Sequence, residues 1–416
     1  MYDPYAEFTK TVLSNGLEVH SVYWDRPWIR VEIVVHSGGR EDPVVKPGLA
    51  HFLEHVVSQN IPNWKFDRAR EFFETCGGQT MFGSTDYLST RYSFKVPADP
   101  VTFREALTIF GSMLLGARIE KDVERERKVI SCEFNERYPF LEALEWNMGI
   151  RRALFQGHRL ETWNRPLGRP EGFLSITERD LQDFYDTHYV PRNISLVIIG
   201  GFKTDELTVE LEKSPFGMQK DGLRSQIPQS FRPLSIPTEQ SRIVKLSDHV
   251  NFKVDQTEYR AVWAFPSDFH RQARKVFRTV LGKILFDEVR EKRGLAYGID
   301  VECVSFQDVC EFEIRGKISP DATSHINEVV RECIRMVPSR HDLFKRRLDS
   351  LKQQCLMIDL AGHGLAGNSA NNLVSDHRII PMQEELDKLC VVTIDQMAEA
   401  SAFLSSERQY TFITCP

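Results

Sequence analysis

The chain has 416 residues, 27% of them charged and 41% hydrophobic, with a formal net charge of −6, which is the composition of an ordinary globular protein with room for two to three domains. The acidic balance and a pI near 6.1 give no general attraction to nucleic acid or anionic membranes, and no apolar run approaches the length of a membrane span. The start, Met1 to Glu7, lacks a basic and an apolar leader region and is acidic rather than Arg-rich, so a cytoplasmic location is expected.

Residues 11–37 alternate in polarity. Strands are expected at 17–22 and 30–35, with Asn15-Gly16 as a turn. A helix follows at 48–58, and it carries His51-Phe52-Leu53-Glu54-His55. Positions four apart share one helix face, so both imidazoles can reach one metal ion. Glu54 precedes the second ring and is placed to act on water beside the metal rather than on the metal itself. This H-x-x-E-H order is the parts list of a zinc hydrolase. Gly48-Leu49-Ala50 before it and Val56-Val57 after it give the helix a partly apolar wall.

Helices are next expected at 66–75, 101–114 and 120–137, with a strand around 89–94. Catalytic zinc takes three protein ligands and leaves one place to solvent. In the helix at 120–137, Glu126, Ile130 and Glu133 fall on one stripe flanked by Val123 and Phe134. A carboxylate among apolar neighbours needs a cation or a proton. Glu133 is the expected third ligand, and Glu126 the residue backing the ligands. Glu124 and Glu136 read as solvated. Cys132 adjoins Glu133, but helical neighbours point about 100° apart, and it is not assigned to the metal.

Further helices are expected at 140–154, 177–187 and 204–213, with a buried strand at 194–199. Residues 214–241 change character, with Pro215, Pro228, Pro233 and Pro237 in a polar stretch. The division expected is therefore a metal-binding domain over 1–214, a linker over 215–241 and a second domain over 242–416. The second half repeats the pattern: strands at 257–265, 296–303, 307–316 and 410–413, and helices at 270–291, 320–336, 341–360 and 383–401. Such a mixture predicts α+β, two similar domains, each a mostly antiparallel sheet with helices packed on one face. The eight cysteines are scattered without a C-x-x-C pair and are expected to be reduced and mostly buried. There is no Gly-rich phosphate loop. His158 and His188 lack ligand spacing and read as surface or core residues.

The chain resembles the pitrilysin-type (inverzincin) metallopeptidases, in the short-chain branch that includes the mitochondrial processing peptidase subunits and their bacterial relatives. The resemblance is carried by the H-x-x-E-H motif and by the placement of Glu133, with Glu126 two helical turns before it. It extends to Leu13-Ser14-Asn15-Gly16-Leu17, Gly38-Gly39-Arg40-Glu41-Asp42, Tyr189-Val190-Pro191-Arg192-Asn193, and the stretch from Leu285 to Tyr297 containing Arg290 and Tyr297. It implies Zn2+ held by His51, His55 and Glu133, with Glu54 as general base. It implies Tyr297 as donor to the substrate carbonyl, with Arg290 orienting the peptide or the tyrosine. Peptides or unfolded protein segments would be the substrates, laid along a sheet edge at Gly77 to Thr85. Many relatives have Asn-Ala where this chain has Met81-Phe82, so an Asn contact to substrate does not carry over, and a core role is expected for at least one of these two side chains. Longer relatives fuse two such halves. One chain bearing both motifs implies a homodimer in which Arg290 and Tyr297 serve the partner's zinc, or else a heterodimer with a related subunit. A non-catalytic subunit and a dedicated peptide-precursor maturation protease are the alternative readings.

Overall fold

The computed structural model describes residues 2–138, 141–163, 166–218, 241–245, 257–357, 363–404 and 408–415. One sheet contains β1 (Thr9–Val12), β2 (Glu18–Tyr23), β3 (Trp28–Val35), β4 (Gln79–Thr85), β5 (Thr90–Pro97) and β6 (Ile194–Gly200), in spatial order β1-β2-β6-β3-β5-β4. The other contains β7 (Ser241–Lys245), β8 (Thr257–Pro266), β9 (Ala296–Phe306), β10 (Val309–Ile318) and β11 (Tyr410–Cys415), in order β7-β11-β8-β10-β9. Apart from β1, the two sheets are wound identically. In each, the first strand pairs in parallel with the last, and every other pairing is antiparallel. The two halves share one topology, and the chain is α+β as expected.

The helices are α1 (Leu49–Val57), α2 (Phe66–Thr75), α3 (Pro100–Gly116), α4 (Val123–Arg137), α5 (Leu141–Leu154), α6 (Pro170–Ser175), α7 (Glu178–His188), α8 (Thr204–Lys213), α9 (Arg271–Leu285), α10 (Ile326–Met336), α11 (His341–Leu356), α12 (His363–Asp376), α13 (Met382–Cys390) and α14 (Ile394–Leu404). Among the described residues no helix is long and apolar enough to cross a membrane.

Contacts divide the chain into two units, Met1–Arg137 with Trp163–Pro228 and Ile358–Met382, and Tyr138–Thr162 with Gln229–Met357 and Gln383–Pro416. This differs from a simple cut at a Pro-rich linker. In the first unit α12 packs on β3 and β6, and in the second α5 packs on β8 and β11. The physical reason lies in the central strands. β3 is buried along almost its whole length, in positions of both parities, so both sheet faces need a cover. Pro215–Gly217 forms a tight turn with Phe216 fully buried, and residues 219–240, most of the expected linker, lie outside the described residues.

Other differences have local causes. The helix expected at 270–291 is α9 followed by a π-helical turn, Phe286–Lys292. The stretch expected as one helix over 383–401 is α13 and α14, the second capped by Thr393, whose Oγ1 accepts from the Gln396 N–H at 3.4 Å. The cysteines are free, but only Cys310 and Cys333 are fully buried, while Cys132 and Cys390 are exposed. Scattered single thiols follow whichever face their own helix or strand presents.

Candidate metal centre

Helix α1 is buried along Leu49, Ala50, Phe52, Leu53, Val56 and Val57, an apolar wrap that fixes its rotation and directs His51, Glu54 and His55 to the remaining face. Its first turn is held by Asp42, whose carboxylate accepts the Gly48 and Ala50 N–H groups at 2.7 and 2.8 Å. Asp42 satisfies donors that a helix start leaves unpaired.

Helix α4 lies against α1. It buries Val123, Glu126, Ile130 and Phe134, and Arg127 stacks its guanidinium over the Phe52 ring of α1, 5.0 Å from the centroid. Arg127 also donates to the Ile176 carbonyl at 2.7 Å. These contacts set Glu133 opposite the two histidines. Glu133 Oε2 is 3.7 Å from His51 Nε2 and 3.6 Å from His55 Nε2, and the ring centroids are 4.7 Å apart. The three ligand atoms lie within 4.8 Å of one another, the one cluster of this kind among the described residues.

These distances are too long for hydrogen bonds. They are close to the roughly 3.4 Å edge of a tetrahedron built on zinc–nitrogen and zinc–oxygen bonds of about 2.0–2.1 Å. The donors also suit the ion. Burial, with His55 nearby, pulls His51 down to about 3, so its imidazole is neutral and has a lone pair to give. His55 Nδ1–H donates to Glu126 Oε2 at 3.3 Å, which leaves Nε2 as the acceptor facing Glu133. Burial opposes protonation of His55, but the Glu126 hydrogen bond and the charges of Glu54, Glu133 and Glu126 outweigh it and raise its pKa. Glu126 is buried and held in turn by Arg125, at 3.0 Å. Burial pushes the Glu126 carboxyl up, and the His55 and Arg125 hydrogen bonds bring it below its ordinary value. Two imidazole Nε2 atoms and one carboxylate, with the second ring braced through Nδ1 by a further carboxylate, fit a zinc ion, which would take the place of any proton on His55 Nε2.

Glu54 lies beside this triangle. Burial raises its pKa, and the hydrogen bond from Thr85 Oγ1, 2.7 Å from Oε2, pulls partly against that rise. Two residues that shape this carboxylate were not singled out from the sequence. Thr85 ends β4, and Gly83 on the same strand faces Glu54 so closely that a Cβ there would lie 2.3 Å from Glu54 Cγ. A Gly inside a strand signals close approach, but what approaches is set by tertiary contact. Met81 and Phe82 are both half-buried, so neither is a fully buried core residue, although the Phe82 ring packs among aromatic neighbours. It stacks on Phe110 at 5.3 Å and meets Phe66 and Phe73 at 5.0 and 6.1 Å. β4 is the last strand of its sheet, paired on one side by β5.

Arg290 and Tyr297 belong to the second unit. Tyr297 is not packed; it is 85% exposed. The Arg290 guanidinium lies 4.9 Å from its ring centroid.

Family models match two long stretches: residues 25–160 match "Insulinase (Peptidase family M16)" and residues 175–342 match "Peptidase M16 inactive domain". The probable zinc protease PqqL of Escherichia coli is 24% identical over 202 residues, 47% of this chain and 21% of that protein. The match thus spans well under a quarter of that relative's length. An uncharacterized zinc protease of Mycobacterium leprae is 26% identical over 345 residues, 79% of this chain and 73% of the relative. A solved protease from Helicobacter pylori has the same fold, with a TM-score of 0.84 at 19% identity over 100% of both chains. With both halves matched, the fold shared and the metal-ligand pattern in place, the chain belongs to the M16, or pitrilysin-type, family of zinc-dependent peptidases.

Proposed function

We propose that the protein is a zinc-dependent endopeptidase acting on peptides or unfolded protein segments. The observation that carries this reading is the convergence of His51, His55 and Glu133 on one point with Glu54 held alongside by Thr85. The three donors would hold the ion, and Zn2+, when bound, supplies Lewis acidity toward a carbonyl and toward water. Glu54 takes the proton of the attacking water and delivers it to the leaving amine. Burial raises its pKa, the direction that suits a carboxylate that must both accept and return a proton. Glu126 keeps His55 in the tautomer that presents Nε2. Strand β4, whose outer edge pairs with no strand among the described residues, offers that backbone edge to an extended peptide, which favours substrates lacking their own secondary structure. In a dimer, Tyr297 of one copy supplies a hydrogen bond to the carbonyl being cleaved at the zinc of the other, and Arg290 orients the peptide or the tyrosine.

The test is a Glu54→Gln variant assayed for metal and for digestion of a peptide library. Zinc should remain at one per chain while turnover falls by roughly 10²–10⁴-fold. A variant that keeps wild-type turnover removes Glu54 as the base. A zinc-loaded wild-type chain that cleaves nothing, alone or with a related subunit, favours the non-catalytic reading.

A further inference from the structure

We propose that Phe286 is a positioning residue: its ring, with that of Tyr297, flanks the Arg290 guanidinium and holds the cation where its N–H donors can meet a peptide carbonyl or carboxylate. The inference rests on the peptidase reading and extends it to a side chain that reading does not use.

The chain reaches this arrangement through its backbone. After α9 the helix widens into the π turn Phe286–Lys292, a rare winding frequently found at functional sites. It closes with the Leu295 N–H donating to the Val289 carbonyl at 2.8 Å and the Gly294 N–H to the Arg290 carbonyl at 3.1 Å. Gly294 sits at φ +60, the left-handed conformation that ends helices and that glycine adopts without strain. The chain then turns back, Leu295 and Ala296 are buried, and Tyr297, the second residue of β9, stands beside the turn the chain has just left.

The side chains complete it. Arg290 Cζ is 4.9 Å from the Phe286 centroid and 4.9 Å from the Tyr297 centroid. Phe286 is 36% exposed and Tyr297 85%, so burial alone does not account for two aromatic rings at this place. Aromatic contacts occupy the faces of a guanidinium and leave its five N–H donors free in the plane. The ion pair Arg290 makes among the described residues is with Glu291, at 3.5 Å, too long to saturate that edge. Lys283 Nζ lies 5.4 Å from the Phe286 centroid and is paired with Asp287, so a second cation braces the same ring. A flexible arginine is thereby held in one orientation before substrate arrives.

The experiment uses the zinc-loaded full chain and two variants, Phe286→Met, which keeps the apolar volume, and Phe286→Tyr, which keeps the ring. On a peptide the wild type cleaves, Phe286→Met should raise KM by roughly two- to fivefold with kcat unchanged, the size expected for losing one exposed cation–π contact. Phe286→Tyr should restore KM. Arg-labelled NMR gives a readout independent of turnover: the Arg290 δ-methylene protons should lose part of their upfield ring-current shift in Phe286→Met and regain it in Phe286→Tyr. Wild-type KM and an unchanged Arg290 shift in Phe286→Met would overturn the proposal. A wild type that cleaves no peptide, with the NMR shift behaving as described, would sink the peptidase reading and leave the positioning role of Phe286 standing.

Discussion

At the residue scale the chemistry turns on Glu54 and what surrounds it. Thr85 donates to one carboxylate oxygen at 2.7 Å, and Gly83 makes room for the side chain's own carbons. Replacing Thr85 with Val removes a hydrogen bond to an ionisable group, an interaction worth about 1.5–3 kcal/mol. The expected result is a fall in kcat of roughly tenfold or more, with zinc content unchanged, measured by steady-state kinetics beside metal analysis. Unaltered kcat would show that Thr85 does not orient the base. His51, Glu54 and His55 were legible in the sequence because helical spacing brings them together on one short element. Glu133 and Glu126 were legible because a heptad stripe set them on one face among apolar neighbours. Thr85 and Gly83 were not, because their meaning depends on which helix β4 lies beside.

At the scale of elements, the turn from α7 into β6 joins the sheet through polar side chains. Asn193 donates to Ser37 Oγ and to the His188 carbonyl, both at 2.9 Å, and Ser37 Oγ meets His188 Nδ1 at 3.1 Å. Burial lowers His188 to about 4, with Arg40 adding repulsion, against an ordinary value of 6.5. Between those two values the unfolded chain binds the proton and the folded chain does not. Stability therefore falls as pH drops from 6.5 toward 4, and the loss is complete below the folded pKa. The contribution is on the order of 2 kcal/mol once its partial exposure is allowed for. Urea unfolding across that range should show a steeper loss in the wild type than in a His188→Asn variant; parallel curves would contradict it. Most elements followed from periodicity. Helix α12 did not, because Gly364, Gly367, Asn368, Asn371 and Asn372 are poor helix formers, and the packing of the helix on β3 and β6 overrides that preference. The π turn had no signature in the hydrophobic pattern, since α and π windings both bury one face.

For the whole molecule, the two sheets share one winding order, and only the first unit carries the zinc motif. The exchange of α5 and α12 between the sequence halves was invisible in a chain read from one end to the other, because either helix looks equally suited to its own half. If Arg290 and Tyr297 serve the zinc of a second copy, an equimolar mixture of an Arg290→Ala chain with a Glu54→Gln chain should regain up to about a quarter of wild-type activity, since about half of the dimers are mixed and each mixed dimer keeps one of its two sites intact. Verified mixed dimers without recovery would rule out shared sites. The central claim is the identity of the ligands. Zinc K-edge X-ray absorption on the protein loaded with one equivalent of zinc tests it most directly. The account predicts a first shell of nitrogen and oxygen at about 2.0–2.1 Å with two imidazoles and no sulfur. A sulfur shell at about 2.3 Å, or fewer than two imidazoles, would contradict it.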